Sequence, residues 1–232
     1  LIGGISPDFL FSAKIGSDEI FVIEADEYDS AFFDKRSKFI HYSPDILLIN
    51  NIEFDHADIF NDLDEIKKQF HHLLKIIPST GKVILFNHDR NALDVINEGC
   101  WADIIKINGD DNSVSFDSSS SMIEFDGKSE CINDLPFYGS HNNLNAAAAI
   151  ITAASYGVNL NAAYRGLKDF SGVLRRLENK GTFKGITILD DFAHHPTAIK
   201  STIQAVEEEY SGKKILNIIE LGSNTMSGGF HG

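Results

Sequence analysis

Two short runs that are apolar on every side chain, with a helix-period segment between them, constrain this chain more than any other feature. The runs are Ile46-Leu47-Leu48-Ile49 and Val83-Ile84-Leu85-Phe86. A strand with no polar face must be covered on both sides, which is the habit of strands in parallel α/β sheets. Between them Leu63, Ile66, Phe70, Leu73, Leu74 and Ile77 fall on one helical face. Asp62 and Glu65 suit a capping box, and Pro78 follows the end. This strand–helix alternation predicts a parallel or mixed sheet with helices packed on it.

The rest of the chain extends that pattern. Asn91 to Glu98 is predicted helical with Gly99 as its stop, and the alanine-rich Asn143 to Tyr156 ends at Gly157. Asn161 to Phe170 and Pro196 to Tyr210 are two more expected helices. Strands are expected at Ile20–Glu24, Ile186–Leu189 and Lys214–Glu220. Short alternating segments from Ile104 to Cys131 suggest hairpins, with the serine run Ser118–Ser121 as a loop. The expected class is α/β, a mostly parallel sheet flanked by helices. The polar stretch Glu178–Lys184, with Gly181, is expected to be a boundary, dividing the chain into domains 1–179 and 180–232.

Composition narrows the function. The hydrophobic fraction of 43% supports a real core, and a formal charge of −14 argues against nucleic-acid or anionic-membrane partners. Cys100 and Cys131 make neither a disulfide framework nor a zinc-ligand pair, which suits a reduced cytoplasm. No apolar run reaches the length of a membrane span. No obligate protein partner is evident. The first residue is Leu1, and the expectation is a piece of a longer protein.

Polar clusters follow the buried strands. Asn50-Asn51-Ile52-Glu53-Phe54-Asp55-His56-Ala57-Asp58 comes straight after Ile49, and Glu24-Ala25-Asp26-Glu27 after Ile23. Charges at the end of a core strand must be paired, solvated or metal-bound, and ligands of parallel sheets sit at the strands' carboxyl ends. If the two strands are neighbours, Glu24 and His56 could share Mg²⁺ or Mn²⁺ with water and phosphate oxygens. Otherwise Glu24 caps a helix and His56 is a hydrogen-bonded loop residue. Asn142 and Asn145 open a small-residue helix three residues apart, and could meet a purine edge or simply cap the helix. Arg175-Arg176 follows Ser171-Gly172-Val173-Leu174 and could clamp a phosphate or be solvated. Asp190-Asp191-Phe192-Ala193-His194-His195-Pro196-Thr197 could bind a metal, bind a ribose or cap a helix. His71-His72 reads as partly exposed helix surface.

In this order, Glu24-Ala25-Asp26-Glu27, Asn51 to Asp58, His141-Asn142-Asn143-Leu144-Asn145-Ala146, Arg175-Arg176 and Asp190 to Thr197 resemble the Mur ligases. These are the ATP-dependent amide-forming enzymes of peptidoglycan assembly. The finer resemblance is to the branch that joins UDP-N-acetylmuramate to the murein tripeptide L-alanyl-γ-D-glutamyl-meso-diaminopimelate. It rests on Tyr28 to Phe39, Glu53 to Phe60, Gln69-Phe70-His71-His72-Leu73 and Ser223-Asn224-Thr225-Met226. The resemblance implies a P-loop-type central domain lacking its first part, and the start of a Rossmann-like C-terminal domain. It implies ATP and Mg²⁺ as cofactors, with Glu24 and His56 as metal ligands. It also implies Asn142 and Asn145 at the adenine, Arg176 at the ATP phosphates and Asp191 at the ribose, with Arg176 and His56 the catalytic pair. The roles of His194 and His195 stay open.

The chain departs from that pattern in three places. No Gly-Lys-Thr phosphate loop occurs in it. Leu221-Gly222 stands where the close relatives carry Pro-Arg, and Ser227 to Gly232 is atypical. The expectation is that these 232 residues alone do not catalyse ligation. The alternatives are the sibling that adds L-alanine to UDP-N-acetylmuramate, a metal-dependent phosphohydrolase, and a non-catalytic remnant.

Overall fold

The computed structural model describes residues 1–17, 19–110 and 113–220. Leu221-Gly222, Ser223 to Met226 and the final residues, on which part of the resemblance rests, lie outside the described residues. Along the chain come β1 (Asp29–Ala31), β2 (Asp34–Ser37), a 3₁₀ turn (Lys38–His41), β3 (Ile46–Ile49), α1 (Leu63–Ile76), β4 (Lys82–Phe86), α2 (Arg90–Asn97) and β5 (Asp103–Ile107). Then follow β6 (Val114–Asp117), β7 (Met122–Phe125), β8 (Lys128–Cys131), α3 (Ser140–Tyr156), α4 (Leu160–Lys168), β9 (Glu178–Phe183), β10 (Ile186–Asp190) and α5 (Pro196–Glu209).

The two all-apolar runs are neighbours in a parallel sheet ordered β3-β4-β5, with Ile46 opposite Lys82 and Val83 opposite Ile104. Strand alternation sends β4 side chains to two cores. Val83 and Leu85 pack with Leu47, Ile49, Ile66, Leu73 and Leu74, under α1 and α2. Ile84 and Phe86 pack on the other face with Ile107, Ile123, Ala147, Ile150 and Ile151, under α3 and the β6-β7-β8 meander. Helices on both faces explain why neither run carries a polar residue. The Nζ of Lys82, at the start of β4, donates to the Ser155 carbonyl near the end of α3, where a cation offsets the helix dipole.

Caps fix the helix starts. Asp62 accepts from the Glu65 N–H at 2.9 Å, but the Glu65 carboxylate turns to the Asn61 N–H at 2.8 Å. The reciprocal half of the capping box is thus made one residue earlier. Asp89 accepts from Asn91 and Ala92 at the start of α2, and Pro196 opens α5 behind His195. The first residue of α3 is Ser140 and its cap is Gly139, at φ +87°. Asn142 instead donates to the Tyr138 carbonyl at 2.8 Å.

Three expectations are corrected, and one stretch gains structure. Residues 104–107 join the parallel sheet as β5; only 114–131 form the antiparallel meander. The polar stretch Glu178–Lys184, expected as a boundary, is mostly strand β9, paired antiparallel with β10. Its tight turn uses Lys184 (φ +50°) and Gly185 (φ +81°), the two positive φ values that a two-residue hairpin needs. Ile20, Phe21 and Val22 form no regular strand and are 49, 60 and 75% exposed. Their stretch is tied to the Leu1 backbone through Val22 and Glu24, so an apolar pattern without covering layers does not become a core strand. Lys214–Glu220 likewise carries no regular strand. Among the described residues no helix is long and apolar enough to cross a membrane.

Candidate active site

The loop that leaves β3 makes polar contacts to several distant elements. Asn50 Nδ2 donates to Asn145 Oδ1 on α3 at 2.9 Å. The Ile52 N–H donates to Asp89 at 3.1 Å and its carbonyl accepts from Asn91 at 2.8 Å, which pins the loop to the start of α2. Glu53 Oε2 accepts from Thr197 Oγ1 at 2.7 Å and lies 3.5 Å from His195 Nδ1. His195 Nε2 is 3.3 Å from the Phe54 carbonyl. The carboxyl end of a buried parallel strand is therefore bridged to α3 on one side and to the start of α5 on the other. Ligands of such sheets sit at this edge.

His56 has a left-handed backbone, φ +56°. A turn holds it: its carbonyl accepts from the Ile59 and Phe60 N–H groups, and its own N–H meets Asp55 Oδ1 at 2.8 Å. Its ring packs on Tyr28, with centroids 4.2 Å apart, and its Nε2 lies 2.5 Å from Glu27 Oε1. Burial lowers the affinity of this imidazole for a proton. The Glu27 carboxylate, with Asp55 and Asp58, outweighs that and raises its pKa above the ordinary value. The same surroundings raise Tyr28, by burial first and by the nearby acids next.

The residues singled out from the sequence are placed unevenly. Glu24 is exposed and its Oε2 accepts from the Gly3 N–H at 2.6 Å. It makes no hydrogen bond or ion pair with His56; Glu27 does. Asn145 faces the β3 loop, whereas Asn142 bonds back to Tyr138. The guanidinium groups of Arg175 and Arg176 lie 4.8 and 5.9 Å from the Phe192 ring centre, a cation–π arrangement. Asp191 ties three segments together, accepting from the Leu177 N–H at 2.8 Å, the Ala193 N–H at 2.7 Å and Thr202 Oγ1 at 3.2 Å. His194 Nδ1 is 3.0 Å from the Phe192 carbonyl.

Sequence reasoning passed over Asn50, Glu53 and Glu27 as individuals. Glu27 could not be singled out, because its pairing with His56 depends on how residues 24–28, which carry no regular strand, fold against Ser37 and Lys38.

The donor chemistry suits a hard divalent cation. Carboxylates at Glu24 and Glu27 and the imidazole of His56 are oxygen and borderline nitrogen donors. No group of three or more His, Cys, Asp or Glu side chains is arranged to hold a metal among the described residues.

Comparison with known proteins places the chain in a family. The model of the Mur ligase middle domain matches residues 6–153, and that of the Mur ligase glutamate ligase domain matches residues 175–228. The UDP-N-acetylmuramate–L-alanyl-γ-D-glutamyl-meso-2,6-diaminoheptandioate ligase of Haemophilus influenzae is 44% identical over 237 residues, 100% of this chain and 52% of that protein. A UDP-N-acetylmuramate–L-alanine ligase of Christiangramia forsetii is 33% identical, over 94% of this chain and 46% of its own length. The crystal structure of a murein peptide ligase from Psychrobacter arcticus superposes with a TM-score of 0.68 at 39% identity, over 94% of this chain and 47% of that one. The chain thus spans about half the length of the curated relatives it matches.

Proposed function

The chain belongs to the Mur ligase family, and from that premise we propose that its protein is an ATP-dependent ligase of peptidoglycan recycling. It joins the carboxylate of UDP-N-acetylmuramate to the amino end of L-alanyl-γ-D-glutamyl-meso-diaminopimelate, in the cytoplasm. The observation that carries this reading is the bridged loop after β3. Asn50–Asn145 and Glu53–Thr197 set polar groups from three elements around one strand end. The higher identity to the tripeptide ligase, 44% against 33% for the L-alanine ligase, favours the tripeptide over free L-alanine.

The chemistry follows from what a carboxylate lacks. It is a poor acyl donor, so its oxygen attacks the γ-phosphorus of ATP, the bond to ADP breaks, and an acyl phosphate forms. The amine then attacks the acyl carbon, and phosphate leaves from the tetrahedral intermediate as the amine gives up its proton. Phosphoryl transfer asks a protein mainly for positioning and for charge neutralisation. Arg176 supplies positive charge to the phosphates, Asn142 and Asn145 meet the adenine edge, and Asp191 orients the ribose. Glu24 and His56 would hold Mg²⁺, which would offset phosphate charge when bound.

The test is amide formation by the whole protein. ADP and phosphate should appear only when ATP, UDP-N-acetylmuramate and the tripeptide are all present. Replacing the tripeptide by L-alanine should abolish turnover; turnover with L-alanine instead assigns the sibling reaction. Phosphate release without any amine sinks the ligase reading in favour of a phosphohydrolase.

A further inference from the structure

The geometry points to Glu27 as the residue that positions His56, fixing which ring nitrogen is presented to a divalent cation. This rests on the metal reading of His56 and adds to it a residue to which no role has been given.

Four observations converge on it. The His56 ring is restrained from one side only by consecutive residues, Glu27 through Nε2 at 2.5 Å and Tyr28 through ring contact at 4.2 Å. Those two residues are themselves anchored. The Glu27 carbonyl accepts from Ser37 Oγ at 2.6 Å, with Ser37 only 1% exposed, and the Tyr28 carbonyl accepts from the Lys38 N–H at 2.9 Å. Asp26, next in line, accepts from the Tyr28 N–H at 2.8 Å and pairs with Lys38 Nζ at 3.1 Å. Finally, His56 Nδ1 has no hydrogen-bond partner among the described residues, whereas Nε2 has a carboxylate.

The consequence is a choice of tautomer. A carboxylate at hydrogen-bond distance keeps the proton on Nε2, so the lone pair resides on Nδ1. Ligating histidines characteristically donate their other N–H to a carboxylate or carbonyl, which fixes the ring and raises its basicity as a ligand. The left-handed backbone at His56 supplies the second half of the device. It sets where the ring starts, and Glu27 sets how it is turned.

The test uses the 232-residue chain and Mn²⁺ alone as the probe. Long-range imidazole ¹⁵N spectra, taken above the pH at which His56 deprotonates, should show the Nε2–H tautomer in the wild type. In Glu27→Ala both tautomers should be populated and Mn²⁺ affinity, followed by paramagnetic broadening, should fall about 10–100-fold. Glu27→Gln keeps an acceptor oxygen, so it should keep the tautomer and lose less affinity than Glu27→Ala. A Glu27→Ala chain with unchanged tautomer and unchanged Mn²⁺ affinity overturns the proposal. If Glu27→Ala fails to fold by far-UV circular dichroism, Glu27→Met, which fills the space without offering an acceptor oxygen, takes its place, and unchanged tautomer and Mn²⁺ affinity there have the same force. His56→Ala separates the two layers: unchanged Mn²⁺ affinity there removes the metal reading itself. Loss in His56→Ala with none in Glu27→Ala removes only the role of Glu27.

Discussion

Two half-buried histidines, His141 and His56, respond to pH in opposite senses. His141 lies in the first turn of α3 and its pKa is held below the ordinary value by burial, with Asp191 and Glu208 pulling partly the other way. A helix N-terminus also disfavours a cation. The unfolded chain therefore binds this proton near pH 6.5 and the native state resists it. Stability from this residue is full above the ordinary value and is lost as pH falls below it. His56, raised by its carboxylates, has the reverse sign, contributing below the ordinary value and losing that contribution as pH rises through the folded one. We expect His141→Asn to flatten the decline in urea midpoint between about pH 7 and pH 5 relative to the wild type. A mutant curve parallel to the wild-type curve over that range would show that His141 is not held neutral by the fold.

At the scale of elements, helix starts and close approaches decide the packing. Asp89 caps α2 through two N–H groups and with its other oxygen holds Ile52 of the β3 loop. Asp89→Ala should cost about 1–3 kcal/mol, a cap of about 1 plus a stranded backbone donor, measured by urea unfolding. Asp89→Asn, which keeps an acceptor, should cost less. Gly139 makes a different demand. Its φ is +87° and a Cβ there would lie 2.4 Å from the Cβ of Ala205 on α5. Gly139→Ala should destabilise by about 1–3 kcal/mol. Adding Ala205→Gly should recover the clash but not the backbone strain, so a double-mutant cycle should show coupling; strict additivity would mean that α5 does not pack there. Much of this level was legible in advance. β3 and β4 announced themselves because neither face carries a polar residue, and α1 because its apolar positions keep a helical period. β9 did not, since Glu178-Asn179-Lys180-Gly181 has no buried face; its strand is imposed by the Lys184-Gly185 turn. Ile20-Phe21-Val22 misled in the other direction, being apolar without a covering layer. At the site, the strand-end position of His56 and the helix-start position of Asn145 could be read from sequence. The partner of His56 could not, because it depends on how a non-periodic segment folds against Ser37 and Lys38.

For the molecule as a whole, the question is what fixes the position of α5. Three contacts do so: Gly139 at the start of α3 against Ala205, Asp191 after β10 with Thr202, and Glu53 of the β3 loop with Thr197 beside His195. The last reaches the loop after β3, as does His195 Nε2 at the Phe54 carbonyl, 3.3 Å away, so these contacts couple the position of α5 to the strand end where the ligand is proposed to sit. The Glu53 side chain is 36% exposed, so water screens part of its interaction with Thr197 and the helix dipole. A net contribution of about 1 kcal/mol is reasonable after that discount. Glu53→Ala should then raise local hydrogen exchange of the α5 amides about fivefold, while amides of β3, β4 and β5, which sit between the two cores, keep their protection. Thr197→Ala should do the same, and the double variant should add little to either. A uniform rise across the chain would mean that Glu53 supports global stability rather than the attachment of α5. No rise anywhere would mean that the remaining contacts, His195 with the Phe54 carbonyl among them, suffice, and that α5 and the β3 loop are not energetically linked through this carboxylate.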